Sequence, residues 1–242
     1  MSRREAGVRE PVQERGPSWP LPSGHVLGSG AVWFPGVFDQ HGCPLVIFPV
    51  EGQDRLLELC KEEVVDFINH FHSLLYKKQE KQSLVSVVAD LRQASPPTIR
   101  LITDTLLLLQ EHKRTVHSVY IIQPKRKDVA KLLMKLLVPS KSCSTSSSNV
   151  LLKDIPELWN YIDRSQLPAS LGGYFLYCHK SWVSFIKEID AFDKEFLSVV
   201  QRLPSCIATL QALSRLPLPS TFDQLQHFCS TNEAKFLQLR SL

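Results

Sequence analysis

The sequence lacks the features that would point to a membrane-spanning or secreted protein. It contains no uninterrupted apolar run of the roughly 18 residues that a membrane span requires. No apolar stretch follows its charged start, so the ordinary pattern of a secretory signal is absent. Its six cysteines are scattered, and none forms a C-x-x-C pair. These absences favour a cytoplasmic protein with reduced thiols, which would meet a membrane only from the aqueous side.

Sequence motifs for catalysis or cofactor binding are also missing. Residues 28–30, which read GSG, lack the spaced third glycine and the Lys-Ser/Thr of nucleotide-binding loops. The neighbouring Cys178 and His179 do not form a nucleophile signature. Asp90 follows a predicted strand, where we expect it to pair with Arg92 or cap a turn. We therefore expect no enzyme, no cofactor and no metal site.

Composition and charge are those of an ordinary globular protein. The chain has 242 residues, of which 43% are apolar and 21% charged. This length suits one large domain, or one domain with an extension. The net charge of +4 is too small to indicate nucleic-acid binding by itself.

The order of apolar patterns predicts an α/β domain over residues 30–178. Four short apolar runs indicate buried strands, and they are PLVIFPV (44–50), LVSVVADL (84–91), VHSVYIIQP (116–124) and VLLK (150–153). Helical spacing lies between them, over residues 54–78, 98–112 and 126–138. This alternation predicts a mainly parallel sheet flanked by helices. Residues 1–29, with four prolines among charges and glycines, are predicted to be a disordered tail.

Residues 179–242 show no strand pattern and are predicted to be a helical extension. Apolar residues recur at helical spacing up to residue 200, and prolines interrupt the pattern at 204, 217 and 219. Ser220 or Thr221 could cap a final helix. The chain ends within this pattern, so we expect an incomplete helical unit and a piece of a longer protein.

One helix, within residues 125–141, carries a basic stripe opposite an apolar arc. Candidate headgroup-binding residues are Lys125, Arg126, Lys127, Lys131 and Lys135; candidate lid or pocket residues are Val129, Leu132, Leu133, Leu136 and Leu137. Two interpretations stay open. The helix could simply cover the sheet with its lysines in water. Alternatively, it could be a movable apolar lid over a lipid site, with a basic rim for anionic headgroups.

The segment after the fourth strand carries a recognisable motif. It reads L-P-x-x-L-G-G, then Tyr-x-His-x-x-Trp, and its residues are Leu167, Pro168, Leu171, Gly172, Gly173, Tyr177, His179 and Trp182. Together with the preceding strand order, this resembles the CRAL-TRIO lipid-binding domain at the N-terminus of Dbl-type Rho guanine-nucleotide exchange factors. Pro168, and Cys178 just before His179, make the segment resemble the puratrophin-like branch, and in such proteins a spectrin-like helical repeat follows the domain.

The resemblance implies a fold and a function. Gly172 and Gly173 would form a structural turn that leads into a last strand, instead of a phosphate cradle. The chain would be a cytoplasmic, non-catalytic module that binds anionic lipids or phosphoinositides at a membrane surface and acts with Rho-pathway proteins. The alternative is a protein-binding scaffold with a filled core and no lipid ligand. Neither interpretation includes a nucleic acid or a transmembrane segment.

Overall fold

A computed structural model of the chain describes residues 21–75, 84–113, 115–137 and 148–240. The chain divides into two compact units, Met1–Lys180 and Ser181–Leu242. The predicted tail lies mostly outside the described residues, which begin at residue 21. The two units are described separately below.

The first unit is built on a four-stranded sheet. Its strands are β1 (Leu45–Phe48), β2 (Val85–Asp90), β3 (Val116–Ile122) and β4 (Ser148–Leu152). They lie in the order β1-β2-β3-β4, and every neighbouring pair is parallel. All residues of β1 and β2 are buried, as their continuous apolar runs require. The predicted α/β fold with a parallel sheet is therefore confirmed.

Helices connect the strands and extend the chain beyond them. They are α1 (Gly24–Ser29), α2 (Gln53–Leu56), α3 (Lys61–Leu75), α4 (Pro96–Lys113), α5 (Lys127–Leu137), α6 (Ile155–Leu158), α7 (His179–Ser214) and α8 (Phe222–Arg240). Short 3-10 turns occupy Val50–Gly52, Arg164–Gln166 and Ala169–Leu171. Right-handed crossovers in a sheet of sequential order place α3, α4 and α5 on one face. The contacts of α4 with both α3 and α5 agree with this placement.

The opposite face of the sheet is covered by the segment that follows β4. Leu158, Ile162, Leu167 and Leu171 are buried there against strand side chains that include Tyr120. Trp159, Tyr161 and Phe175 pack at the margin of this cluster. The sheet thus has two apolar faces, one under the crossover helices and one under residues 155–175.

One helix lies within the segment predicted to be a disordered tail. The hydroxyl of Ser23 caps α1 by accepting a hydrogen bond from the Val26 backbone at 3.4 Å. Val26 and Leu27 are buried, and Gly30 ends the helix in the left-handed conformation. Six residues are too few to show a helical period, so the sequence pattern missed this helix.

The strand predicted after Gly173 does not form. Phe175 makes a single bridge to Pro168, and the chain enters α7 at His179. Leu176 is almost fully exposed, so the apolar run there does not mark a buried strand. The predicted interruption at Pro204 is also wrong, because α7 continues through this residue. Proline removes one backbone donor from the helix, and the remaining hydrogen bonds of a 36-residue helix continue on both sides.

The second unit consists of most of α7 and of α8. Thr221 caps α8, since its hydroxyl accepts a hydrogen bond from the Gln224 backbone at 3.3 Å. The Gln224 side chain in turn accepts from the Ser220 backbone at 3.0 Å. This reciprocal arrangement resembles a capping box and fixes the start of the last helix.

Candidate functional site

The basic helix α5 begins beyond the carboxyl end of β3. The Lys125 backbone donates to the carbonyl of Arg92 at 3.3 Å, which ties this entry segment to the end of β2. Arg126 lies just before the helix and Asp128 lies in its first turn. Their side chains form an ion pair with an N–O distance of 2.6 Å. This hydrogen bond to Arg126 lowers the pKa of the Asp128 carboxyl. The negative charge at the helix start is also favourable for the helix dipole.

The apolar arc of α5 is only partly covered. Val129 and Leu133 are buried, and their spacing of four residues places them on the line of contact with the domain. Leu132, Leu136 and Leu137 are half-buried, and Met134 is 50% exposed. The five predicted lid residues therefore divide into two that anchor the helix and three at its margin.

The cations of α5 and of the two residues before it all face water. Lys125, Arg126, Lys127, Lys131 and Lys135 are exposed. Within the part of the chain that the structure describes, Lys127, Lys131 and Lys135 have no ion-pair partner. Residues 125–137 contain five cations and one carboxylate, and this local charge of +4 equals the net charge of the whole chain. Net positive charge is thus concentrated on one short helix and the two residues that precede it.

The glycine pair forms a tight turn with no free amide for a phosphate. Gly172 has a φ of 71°, in the left-handed region that favours glycine. Its backbone N–H donates to Ala169 at 2.9 Å, and the N–H of Gly173 donates to Pro168 at 3.1 Å. Phosphate cradles need such N–H groups to point at the ligand. Both amides are already used, so this turn does not cradle an anion.

Arg164 holds the glycine turn from outside, a role that the sequence analysis did not predict. Its guanidinium lies 4.3 Å from the ring centre of Trp159 and 4.4 Å from that of Tyr174. It also donates a hydrogen bond to the carbonyl of Gly172 at 2.9 Å. Trp159 donates to the carbonyl of Leu171 at 3.3 Å. A cation between two aromatic faces is favourable, and it orders the chain around the turn.

His179 connects the start of α7 to α1. One ring nitrogen lies 2.9 Å from the hydroxyl of Tyr177, and the other lies 2.9 Å from the carbonyl of Leu27. A neutral ring fits both contacts if its Nε2–H donates to the carbonyl and its Nδ1 accepts from the hydroxyl. The Tyr177 ring lies 4.9 Å from that of Trp33. The predicted motif residues Tyr177 and His179 therefore make contacts within the domain.

Protonation of His179 is expected to destabilise the domain. Burial lowers the pKa of the His179 ring from its usual value of 6.5, and Arg55 acts in the same direction, while the Leu27 carbonyl opposes them. A depressed folded-state pKa contributes stability that is present above pH 6.5 and is lost as the pH falls through the lower folded value. Urea unfolding at pH 7.5 and 5.5 should show a smaller loss of stability for His179→Gln than for the wild type. Equal losses in the two proteins would contradict this prediction.

Asp90 has the structural role that was expected at the end of β2. Its buried carboxylate accepts two hydrogen bonds from the Arg92 guanidinium, at 2.8 and 2.7 Å. The carbonyl of Asp90 accepts a further hydrogen bond from the side chain of Gln53. These groups are satisfied by one another, as the predicted pairing of Asp90 with Arg92 requires.

These observations define a class of protein. It is a parallel α/β domain in which crossover helices cover one sheet face and a segment closed by a glycine turn covers the other. Residues 48–180 match the family model described as the divergent CRAL/TRIO domain. The chain therefore belongs to this family, and the predicted CRAL-TRIO resemblance is confirmed.

Several curated proteins share sequence with the chain. Human puratrophin-1 is 25% identical over 204 residues, which are 83% of this chain and 16% of that protein. Human pleckstrin homology domain-containing family G member 4B is 26% identical over 176 residues, 70% of this chain and 10% of that protein. Human guanine nucleotide exchange factor DBS is 37% identical over 68 residues, 28% of this chain and 6% of that protein. The chain thus spans about a sixth or less of the length of these relatives.

One described helix, α7, is long and apolar enough to cross a membrane by length and composition. Only 6% of its most apolar stretch is buried. Length and composition do not distinguish such a helix from a helix of a soluble bundle, so this observation is weak support for a membrane span.

Proposed function

We propose that the chain is a non-catalytic module that binds anionic lipids, including phosphoinositides, at the cytoplasmic surface of membranes. The observation that carries this proposal is helix α5, whose exposed lysines lie beside a partly covered apolar arc. Membership of the CRAL/TRIO family supports it. The sequence analysis predicted the same helix as the lipid-binding element.

Electrostatic attraction would supply most of the surface affinity. Each lysine or arginine near an anionic membrane contributes about 1 kcal/mol. The unpaired Lys127, Lys131 and Lys135 would together contribute about 3 kcal/mol, which corresponds to roughly a hundredfold in binding. Lys125 would add a further positive charge to this attraction, whereas the charge of Arg126 is compensated by Asp128. The attraction would weaken with salt, because exposed charges are screened within about 10 Å at 0.1 M.

The apolar arc would take up the hydrophobic part of the lipid. Val129 and Leu133 hold α5 on the domain, while Leu132, Leu136 and Leu137 are only half-covered. Only the side chains of Val129 and Leu133 are fully buried, so little apolar surface holds the helix in place. Exposing each of them when the helix moves would cost about 1.5 to 3 kcal/mol. We propose that α5 shifts as a lid and lets an acyl chain pass beneath it.

The relatives suggest a pathway for the module. One of them is named a guanine nucleotide exchange factor, and two others, puratrophin-1 and the family G member, match most of this chain. We propose that the chain works with a Rho-pathway exchange factor by localising or regulating it at the membrane. The helical unit of α7 and α8 would then correspond to part of a spectrin-like repeat.

The proposal is tested by lipid binding of the purified protein. We expect mass spectrometry to find a co-purifying lipid, and we expect the chain to sediment with vesicles that contain phosphatidylserine or phosphatidylinositol bisphosphate. Vesicles of phosphatidylcholine alone are the control and should retain little protein. Sedimentation should decrease as salt rises. Absence of lipid from the protein, together with no sedimentation at low salt, would contradict the proposal.

A protein-binding scaffold is the second candidate, and a separate observation favours it. Helix α7 exposes a row of large apolar residues at spacings of four, three and four: Phe185, Ile189, Phe192 and Phe196. Such a row is typical of a seam that packs against another helix. If the scaffold interpretation is correct, Phe192→Glu should abolish capture of a protein partner, and vesicle binding of the wild type should be absent.

A further inference from the structure

A polar cluster lies at the amino ends of the strands, at the edge of the sheet opposite the entry to α5. Asp39 and Cys43 belong to the loop before β1, and His117 is the second residue of β3. One ligand atom from each residue lies within 4.8 Å of the other two. The ring of His41 adds a second imidazole, with its centre 4.9 Å from that of His117. Three potential metal ligands thus converge on one place, and a second imidazole lies beside one of them.

The carboxylate of Asp39 is held in a fixed orientation. Its Oδ1 accepts hydrogen bonds from the backbone N–H groups of His41 at 2.8 Å and Cys43 at 2.9 Å. Its Oδ2 accepts a hydrogen bond from the hydroxyl of Ser86 at 2.6 Å and lies 4.0 Å from Nδ1 of His117. A carboxylate has about four acceptor sites, so one position on Asp39 is left for another partner. Hydrogen bonds of this kind orient a metal ligand and increase its affinity.

Hydrogen bonds satisfy the oxygens of Asp39 but do not balance the charge of the carboxylate. The Asp39 side chain has no exposed surface, and its closest cationic candidate in the described part of the chain is His117, at 4.0 Å. A buried carboxylate normally needs a close charge partner. The cluster therefore offers ligand atoms to a cation that would balance the charge of Asp39.

We propose that Asp39, Cys43, His117 and His41 bind a divalent transition-metal ion of the zinc class. The three converged residues offer oxygen, sulfur and imidazole, and the ring of His41 beside His117 would supply the fourth ligand. This set suits Zn²⁺ and disfavours Mg²⁺ and Ca²⁺, which prefer oxygen alone. Tetrahedral zinc needs its ligand atoms about 3.3 to 3.8 Å apart. The ligand atoms of Asp39, Cys43 and His117 lie up to 4.8 Å apart, so these side chains must close by about 1 Å, and the exposed ring of His41 must turn toward them.

Zinc at this place would be structural. It would join the loop before β1 to the start of β3, across the intervening strand β2. The sequence analysis expected no metal site because it searched for ligands at short spacing. Here Cys43 and His117 are 74 positions apart (117 minus 43) and meet only in the folded sheet.

The test measures metal binding by the intact chain with Zn²⁺ and Co²⁺ alone. We expect about one Zn²⁺ per chain after dialysis and elemental analysis, and a thiolate-to-metal charge-transfer band with Co²⁺. Cys43→Ser should remove the band, and Cys229→Ser, which changes an exposed thiol in α8, should retain it. Absence of bound metal in the wild type, or retention of the band in Cys43→Ser, would overturn the proposal.

Two histidine variants keep the test decisive if Cys43→Ser fails to fold. His41 is exposed, so His41→Gln should leave the fold intact and weaken zinc binding by at least about tenfold. His117→Gln should weaken it by at least about a hundredfold. The matched control is His227→Gln, an exposed histidine in α8, which should bind zinc as the wild type does. Unchanged zinc affinity in both His41→Gln and His117→Gln would also overturn the proposal.

Discussion

Replacing Gly173 with alanine is expected to lower the free energy of unfolding by about 3 kcal/mol or more. The added methyl group would overlap the carbonyl oxygens of Leu167 and Arg164. Neither oxygen can withdraw cheaply, because they accept backbone hydrogen bonds from Phe175 at 2.9 Å and Tyr174 at 2.8 Å. The clash is therefore with fixed backbone, and the turn must open to relieve it. Chemical denaturation monitored by circular dichroism measures the change.

A graded series of glycine variants separates the clash from conformational strain. Gly172→Ala combines a φ of 71° with a contact of 2.8 Å to the Trp159 ring and should cost about 1 to 3 kcal/mol. Gly42→Ala has a φ of 77° and open space, so strain alone should cost about 1 kcal/mol. Gly28→Ala is helical with open space and should be neutral or slightly stabilising. A Gly173→Ala protein as stable as Gly28→Ala would show that the turn relaxes freely.

Reversing the charge of Lys127, Lys131 and Lys135 to glutamate is expected to abolish sedimentation with anionic vesicles. The change removes about 3 kcal/mol of attraction and adds repulsion of similar size, so affinity should fall by more than about a hundredfold. The three side chains are exposed and unpaired in the described part of the chain. The fold should therefore be retained by circular dichroism. Co-sedimentation with vesicles at low and high salt measures the effect.

A matched variant distinguishes a local surface from general charge. Lys180→Glu, Lys187→Glu and Arg215→Glu together change the net charge by the same amount, and all three residues are exposed outside α5. This control should lose only a small part of the binding. Equal losses in the two triple variants would mean that α5 is not the membrane-facing surface. Leu133→Asp should act differently, since it removes a buried anchor and should weaken lipid uptake or stability at every salt concentration.

The strands and main helices could be predicted from the sequence because their signals are local. LVSVVADL is continuously apolar, and β2 occupies Val85–Asp90 within it, buried along its whole length. Helix α5 was expected over residues 126–138 and occupies Lys127–Leu137. The strand predicted from the apolar run after Gly173 was wrong. Such a run forms a strand only if it meets a free sheet edge, and the local sequence does not show where such an edge lies.

The candidate site was only partly accessible to sequence reasoning. The helical wheel of α5 separated lysines from leucines, but it could not show that Leu133 is buried while Leu136 is half-exposed, because that depends on the neighbouring helix. Arg164 between Trp159 and Tyr174, and Asp39 beside His117, depend on contacts that no spacing reveals. The sequence signal for Arg164 was its closeness to the glycine turn, where a carbonyl needs a donor.

The sequential order of the four strands has a consequence for synthesis on the ribosome. Each new strand pairs with the strand made just before it, so the sheet can grow at one edge as the chain emerges. The face that carries Tyr120 receives its cover only when residues 155–175 follow β4. At about 5 to 20 residues per second, these residues emerge roughly 1 to 5 seconds after β4 is complete. During that interval the nascent domain presents a bare apolar sheet face, which is a substrate for chaperones.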